Sequence, residues 1–335
     1  MISCASSANT KKPDWVDNVG SVYNKSLYIA AVGSSKDRIT AERNALANLS
    51  AVFGQSIQAD VFTRNTYYEA ARNGAITQWL DNTEIENVIK TSVSMDTLIG
   101  AEIKEVWYDE KNNTFYAAAV MERQRTIQLY TNLITANLRM INNLTNLDQT
   151  EKNTIEGLLR YRFAGTVADV NITYANLLYV LNAPLPNGVR SSDEYRLEAQ
   201  NIAGTIPVNI IAPNDRESRI SGAFAKIFTD NGFKIDASAS GAASSGVNAY
   251  RYVLQINIAL SQPVYPGNPA IFSQMELNVN LIDTFTNILL LPYSFTVRDG
   301  HNTAPLAEDR VFISAEQKIN TEYREILSDY LNHLY

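Results

Sequence analysis

The side chains able to do chemistry are few and widely spaced. Cys4 is the one cysteine in 335 residues, so neither an intrachain disulfide nor a thiolate zinc cage can form. Two histidines, His301 and His333, both sit near the C-terminus. Neither is accompanied by a Gly-x-Ser-x-Gly elbow or a partner pattern for a triad. His301 is expected in a turn-like loop at the surface, and His333 in the last turn of a helix. Carboxylate pairs occur at Asp14 with Asp17, Glu84 with Glu86, and Asp109 with Glu110. Glu84 and Glu86 would share one face of a strand, as acid/base pairs do, but a solvated strand face accounts for them equally. Gly241-Ala242-Ala243-Ser244-Ser245-Gly246 lacks the Lys-Ser/Thr of a phosphate cradle and precedes a strand rather than a helix. No catalytic set, metal set or cofactor motif can be assembled, so the chain is expected not to be an enzyme.

Cys4 has the most defined chemistry. Met1-Ile2-Ser3-Cys4 fits the last four positions of a lipobox, in which small residues admit the peptidase and the thiol is diacylated. Such a cysteine is expected to follow an apolar signal segment. At about 0.8 kcal/mol per buried methylene, more than one acyl chain gives firm anchoring. The bland alternative is a chance cysteine in a ragged terminus. Eighteen tyrosines, among them Tyr108, Tyr116, Tyr250, Tyr252 and Tyr265, offer either a contact patch for protein or glycan or half-buried core positions.

Length and charge narrow the field further. The 335 residues suggest two domains or three small ones. With 28 basic against 35 acidic residues, the net charge of −7 argues against nucleic-acid binding, which needs a basic stripe. The sequence has no apolar run long enough for a transmembrane helix; the aliphatic patch Ile288-Leu289-Leu290-Leu291 is short.

The elements that position these residues read as an α+β protein. Residues 1–12 form a flexible polar tether. Residues 13–121 form an α+β domain: a strand at Tyr28–Gly33, then a helix capped by Ser34-Ser35 with Ile39, Leu46, Leu49 and Phe53 on one face. A period-two stretch at 84–95 and a hairpin at 101–120, turning at Asp109–Asn113, complete it. Residues 122–204 give a long antiparallel helical hairpin, with Asp148-Gln149-Thr150-Glu151 as the capping box of its second helix, and a linker helix. Residues 205–335 form a second α+β domain: strand 208–211, a helix capped by Asn214-Asp215, a return strand after Asn231-Gly232, and a mobile loop at 238–246. Strands at 250–260, 272–282 and 289–298 and a closing helix follow. Both domains are expected to be antiparallel sheets with packed helices.

Pro13-Asp14-Trp15-Val16, Leu27–Gly33 and the alanine- and asparagine-rich Ala41–Ser50, continued by Phe53-Gly54-Gln55-Ser56-Ile57, resemble the Lpp twenty-kilodalton lipoprotein family over about residues 13–125. The same stretch is similar to the N-terminal domain of flagellar assembly protein T. The phrase Ala223–Phe228 through Gly232-Phe233 gives the C-terminal part a looser likeness to that protein's middle domain. It is also similar there to penicillin-binding-protein activator lipoproteins and to the N-terminal domain of TolB. The resemblance implies a non-enzymatic lipoprotein of a diderm bacterium, attached through Cys4 in the outer membrane or periplasm. It would act as scaffold or adaptor, with cell-wall synthesis or flagellar components as partners. A binding module for a small envelope ligand or glycan in an inter-domain cleft is the alternative.

Overall fold

A computed structural model describes residues 11–53, 98–236, 250–267 and 269–332. Cys4, the Glu84–Glu86 pair, the strand expected at 84–95, the loop at 238–246 and His333 lie outside them. Contacts divide the chain into two units, Met1–Asn143 with Ala164–Ser192, and Leu144–Phe163 with Asp193–Tyr335.

The first unit begins with two single-turn helices, α1 (Asp14–Asp17) and α2 (Val19–Val22), then strand β1 (Tyr28–Ser35) and helix α3 (Arg38–Ala51). The hairpin strands β2 (Ala101–Asp109) and β3 (Thr114–Glu122) follow. The sheet order is β1-β3-β2, antiparallel throughout, and the central Ala117–Met121 is fully buried. The α3 cap is Asp37, whose carboxylate accepts from the Thr40 N–H at 2.8 Å. Ser34 and Ser35 instead end the strand. Ile39 is 65% exposed, whereas Ala41, Ala45 and Leu49 are completely buried. The four-residue series faces the sheet, and Ile39, two residues before Ala41, is turned about 200° away from it.

Gly33 explains the choice of alanine. A Cβ built there would lie 2.1 Å from the Ala45 amide nitrogen and 2.5 Å from the Ala41 carbonyl oxygen. The helix backbone thus rests directly on the strand, which only Gly below and Ala above permit. The asparagines on the same helix have a matching role. Asn44 Nδ2 donates to the Ser34 carbonyl at 3.0 Å and Asn48 Nδ2 to the Val32 carbonyl at 2.9 Å. Both carbonyls lie on β1, the edge strand of this sheet among the described residues, so side-chain amides occupy part of its outer row.

The long helices are α4 (Arg123–Thr145) and α6 (Ile155–Val180), with the one-turn α5 (Gln149–Lys152) between them. Asp148 and Glu151 form the reciprocal capping box. It caps only that single turn, and the long helix starts afresh after Asn153 and Thr154. Within the first unit, Tyr130 stacks near Tyr174 at 5.3 Å and buried Asn137 donates to Asn171 at 2.9 Å, so the helices run antiparallel. A buried amide pair of this kind fixes helix register.

The second unit adds α7 (Ser192–Thr205), β4 (Pro207–Ile211), α8 (Arg219–Asp230), β5 (Lys234–Asp236), β6 (Tyr252–Ser261), β7 (Ile271–Asp283) and β8 (Ile288–His301). Helix α9 (Ala304–Lys318), a π-helical turn (Ile319–Tyr323) and α10 (Arg324–Asn332) close the chain as one continuous helix. The sheet order is β5-β4-β6-β7-β8. It is mixed rather than wholly antiparallel, because β4 pairs in parallel with both β5 and β6. The reason is the β4–α8–β5 connection, in which a helix carries the chain back to the same end of the sheet. Before α8, Glu217 and Ser218 both have φ of 56°. Asp215 reaches across this turn, its carboxylate accepting from the Ile220 and Ser221 N–H groups at 3.1 and 2.7 Å. Behind the sheet, Tyr323 packs against Phe224 (4.7 Å), Tyr293 (5.4 Å) and Phe228 (6.3 Å). Burial drives the Tyr323 phenol well above its usual range.

Candidate interaction surface

Strands β6, β7 and β8 form a long three-stranded ribbon whose two faces differ in chemistry. One face carries Leu254, Ile256, Ile258, Met275, Leu277, Val279, Leu281 and Tyr293, all buried, with α9 packed over β7 and β8. Period-two alternation then puts the intervening residues on the opposite face. There the cross-strand rows are Gln255/Asn280/Pro292, Asn257/Asn278/Ser294, Ala259/Glu276/Thr296 and Ser261/Gln274/Arg298. Of these twelve, only Gln255, Asn280 and Gln274 are even half-buried; the rest are exposed. At the far end Phe272 lies against Gly300, where a Cβ would come within 2.8 Å of the ring. Tyr265 packs edge-on against Phe272 at 4.9 Å, and the Arg298 guanidinium sits over the Tyr265 ring at 5.4 Å.

The other end is the β7–β8 turn. Asp283 is buried, and its Oδ2 accepts from Arg251 Nε and Nη2, each at 2.9 Å. Its Oδ1 accepts from the Phe285 N–H at 3.0 Å. Thr284 donates its N–H to the Arg251 carbonyl at 2.7 Å and its hydroxyl to the Tyr250 carbonyl at 2.7 Å. Burial opposes the Arg251 charge, but the Asp283 bond prevails and its pKa is raised. Asn287, with φ of 56°, completes the turn. This scaffold holds three apolar side chains outward: Phe285, Ile288 and Leu289 are 70%, 54% and 50% exposed. The apolar run Ile288–Leu291, named above as an aliphatic patch, is in part this exposed tip.

The other sequence candidates fall into ordinary roles. Asp17 pairs with Lys12. Asp109 organises the β2–β3 turn, accepting from the Lys111 and Asn112 N–H groups and from the Asn112 amide, which holds its pKa low. His301 ends strand β8 opposite Ile271 rather than lying in a loop. Of the tyrosines, Tyr108 and Tyr116 belong to the first unit, where Tyr116 lies 5.6 Å from Trp107. Tyr252 is buried in the second, its hydroxyl accepting from the Ile155 N–H at 3.0 Å. In the first unit a bulge near Lys104 re-aims β2. Glu105 there accepts from Trp15 Nε1 at 2.9 Å and from the Tyr23 hydroxyl at 2.7 Å. Burial, then Glu105, raises the Tyr23 pKa. A cleft of about 370 Å³ runs along this strand, with charged Arg38, Lys104 and Glu105 in its lining. Among the described residues, no three His, Cys, Asp or Glu converge to hold a metal, and no helix is long and apolar enough to cross a membrane.

No protein-family model matches the chain, and no curated protein does. Several solved structures share backbone likeness. The secreted protein HP1454 of Helicobacter pylori is 13% identical over 89% of this chain and 96% of its own, with a TM-score of 0.44. A minor lipoprotein of Acinetobacter baumannii is 11% identical over 37% of this chain and 90% of its own, at 0.26. Lipoprotein GNA1162 of Neisseria meningitidis is 13% identical over 35% of this chain and 99% of its own, at 0.24. At these identities and scores they say nothing of what this chain binds.

Proposed function

We propose that the chain is a non-enzymatic bacterial cell-envelope lipoprotein, tethered through an acylated Cys4 in the outer membrane or periplasm. It acts as an adaptor by protein–protein contact. The observation that carries this reading is the β7–β8 tip. Three apolar side chains there stay in water on a turn whose buried Asp283 and Thr284 are fully engaged. Within the fold, the Phe285 ring meets the Arg251 guanidinium at 5.7 Å, yet 70% of the residue stays exposed. Such a turn lowers the ordering cost of binding, since the anchor is already in place. Buried aromatic and aliphatic anchors supply most of the energy at protein interfaces. Envelope proteins of cell-wall synthesis or flagellar assembly are the partners suggested by the family resemblance.

Affinity capture from envelope extracts with the full chain, compared with a Phe285→Ser/Leu289→Ser variant, tests the adaptor role. A defined protein should be retained by the first and lost from the second; capture of none, or equal capture by both, overturns it. Palmitate labelling of the precursor against Cys4→Ala tests the tether, and equal labelling of both rules it out.

A further inference from the structure

The outward face of the β6–β8 ribbon poses a separate question, because its central amides are poor strand formers. Asn is depleted in strands, yet Asn257, Asn278 and Asn280 stand in the middle of β6 and β7. With Gln255 they make two cross-strand amide pairs, Gln255–Asn280 and Asn257–Asn278. None of the four side chains has a hydrogen-bond partner among the described residues, and Asn257 and Asn278 are exposed. Ser294 and Thr296 of β8 extend the same rows with hydroxyls. In a chain of net charge −7, this face carries one acid, Glu276, and one base, Arg298, the latter already stacked on Tyr265.

We infer that this face binds a neutral glycan chain. An amide offers both a donor and an acceptor, which matches sugar hydroxyl and acetamido groups and gives nothing extra to an ion. Rows repeat about every 7 Å along the strands and about 5 Å between them, a grid that an extended polymer lies across. Tyr265, 37% exposed at the end of the grid and already holding Arg298 over its ring, supplies an exposed aromatic edge against which the apolar face of a sugar ring packs. Electrical neutrality is what selects the occupant: a phosphorylated polymer or acidic lipid surface would find a single cation here, and it is already engaged.

Calorimetric titration of the full chain with chitohexaose and with cellohexaose tests this. At least one should bind saturably, with a Kd on the order of 1 mM or tighter. Preference for chitohexaose assigns acetamido recognition, and equal binding assigns hydroxyl recognition. Affinity should fall tenfold or more in Asn257→Val/Asn278→Val, which keeps strand-favouring residues, and likewise in Tyr265→Ala, which lies outside the strands. It should stay unchanged in Phe285→Ser/Leu289→Ser, so failure here and failure of the adaptor reading are told apart. Raising NaCl from about 0.05 to 0.5 M should leave it unaltered, since no ion pair is formed. No binding of either sugar, or binding that survives both amide and tyrosine variants, overturns the inference.

Discussion

Replacing Gly33 by alanine probes the tightest contact between a helix and a strand in the first unit. The added methyl carbon would stand 2.1 Å from the Ala45 nitrogen, 2.5 Å from the Ala41 oxygen and 2.6 Å from the Asn44 carbonyl carbon. Ordinary contact is about 3.5–4 Å, so α3 has to retreat by roughly 1 Å or more. No rotamer change relieves this, because all three atoms are backbone. Overpacking costs about 1–3 kcal/mol. Retreat also stretches the Asn44 and Asn48 hydrogen bonds to β1, which places the cost at about 3 kcal/mol, the top of that range. For a unit of this size that is a fall in Tm of roughly 6–12 °C. Gly222→Ala is the internal control: it lies within α8 with open space at its Cβ, so helix propensity should give a gain of about 0.5–1 kcal/mol. Thermal and urea unfolding, followed by circular dichroism, measure both. A Gly33→Ala protein as stable as the parent would show that helix and strand do not touch in this way.

Two further perturbations follow from the same structure. Asn44→Ala/Asn48→Ala leaves the β1 carbonyls of Val32 and Ser34 without their side-chain donors; it should cost about 1–2 kcal/mol and promote self-association at the strand edge, read by light scattering. Lys152 and Glu198 hold each other charged, with the Lys152 pKa raised and the Glu198 pKa lowered chiefly by their mutual hydrogen bond. The Glu198 contribution is therefore present above its ordinary value of 4.5 and lost as pH falls through its lower folded pKa. The Lys152 contribution is present below 10.5 and lost as pH rises through its higher folded pKa. In Lys152→Met, stability should fall by less than about 1 kcal/mol near neutrality, since the pair is partly solvated. The part of the acid limb owed to Glu198 should flatten, and an unchanged pH profile of Tm would refute the coupling.

The residues differ in how openly they declare these arrangements. Period-two alternation marked β6 and β7, and Asp148–Glu151 announced its capping box, because both signals depend on neighbours in sequence. The break after α5 was hidden, since nothing in Asn153-Thr154 forbids a helix. The face expected for α3 holds at Leu49 and Phe53, both buried, and fails at Ile39: bulk hydrophobicity favours Ile39, whereas closeness to Gly33 selects Ala41 and Ala45. The strand–helix–strand order of β4, α8 and β5 is itself the sign of parallel pairing, whereas the parallel β4–β6 pair joins Val208 to the distant Tyr252 and has no local mark. At the surface, Tyr265 is one tyrosine of many. Asn257 and Asn278 are not legible as a pair, because amides in a chain rich in asparagine carry no signal until register sets them side by side.

The C-terminal helix buries Ala307, Val311, Ala315, Ile319, Tyr323, Leu327 and Leu331, each four places after the last. A regular α-helix overshoots by about 40° at each such step, and six steps would swing the final leucines round to water. The wide turn at Ile319–Tyr323 takes up part of this overshoot, like a leap day inserted in a calendar. Removing one residue from that turn would give a smoother helix and a worse protein, with Leu327 and Leu331 rotated out of the buried positions they now hold.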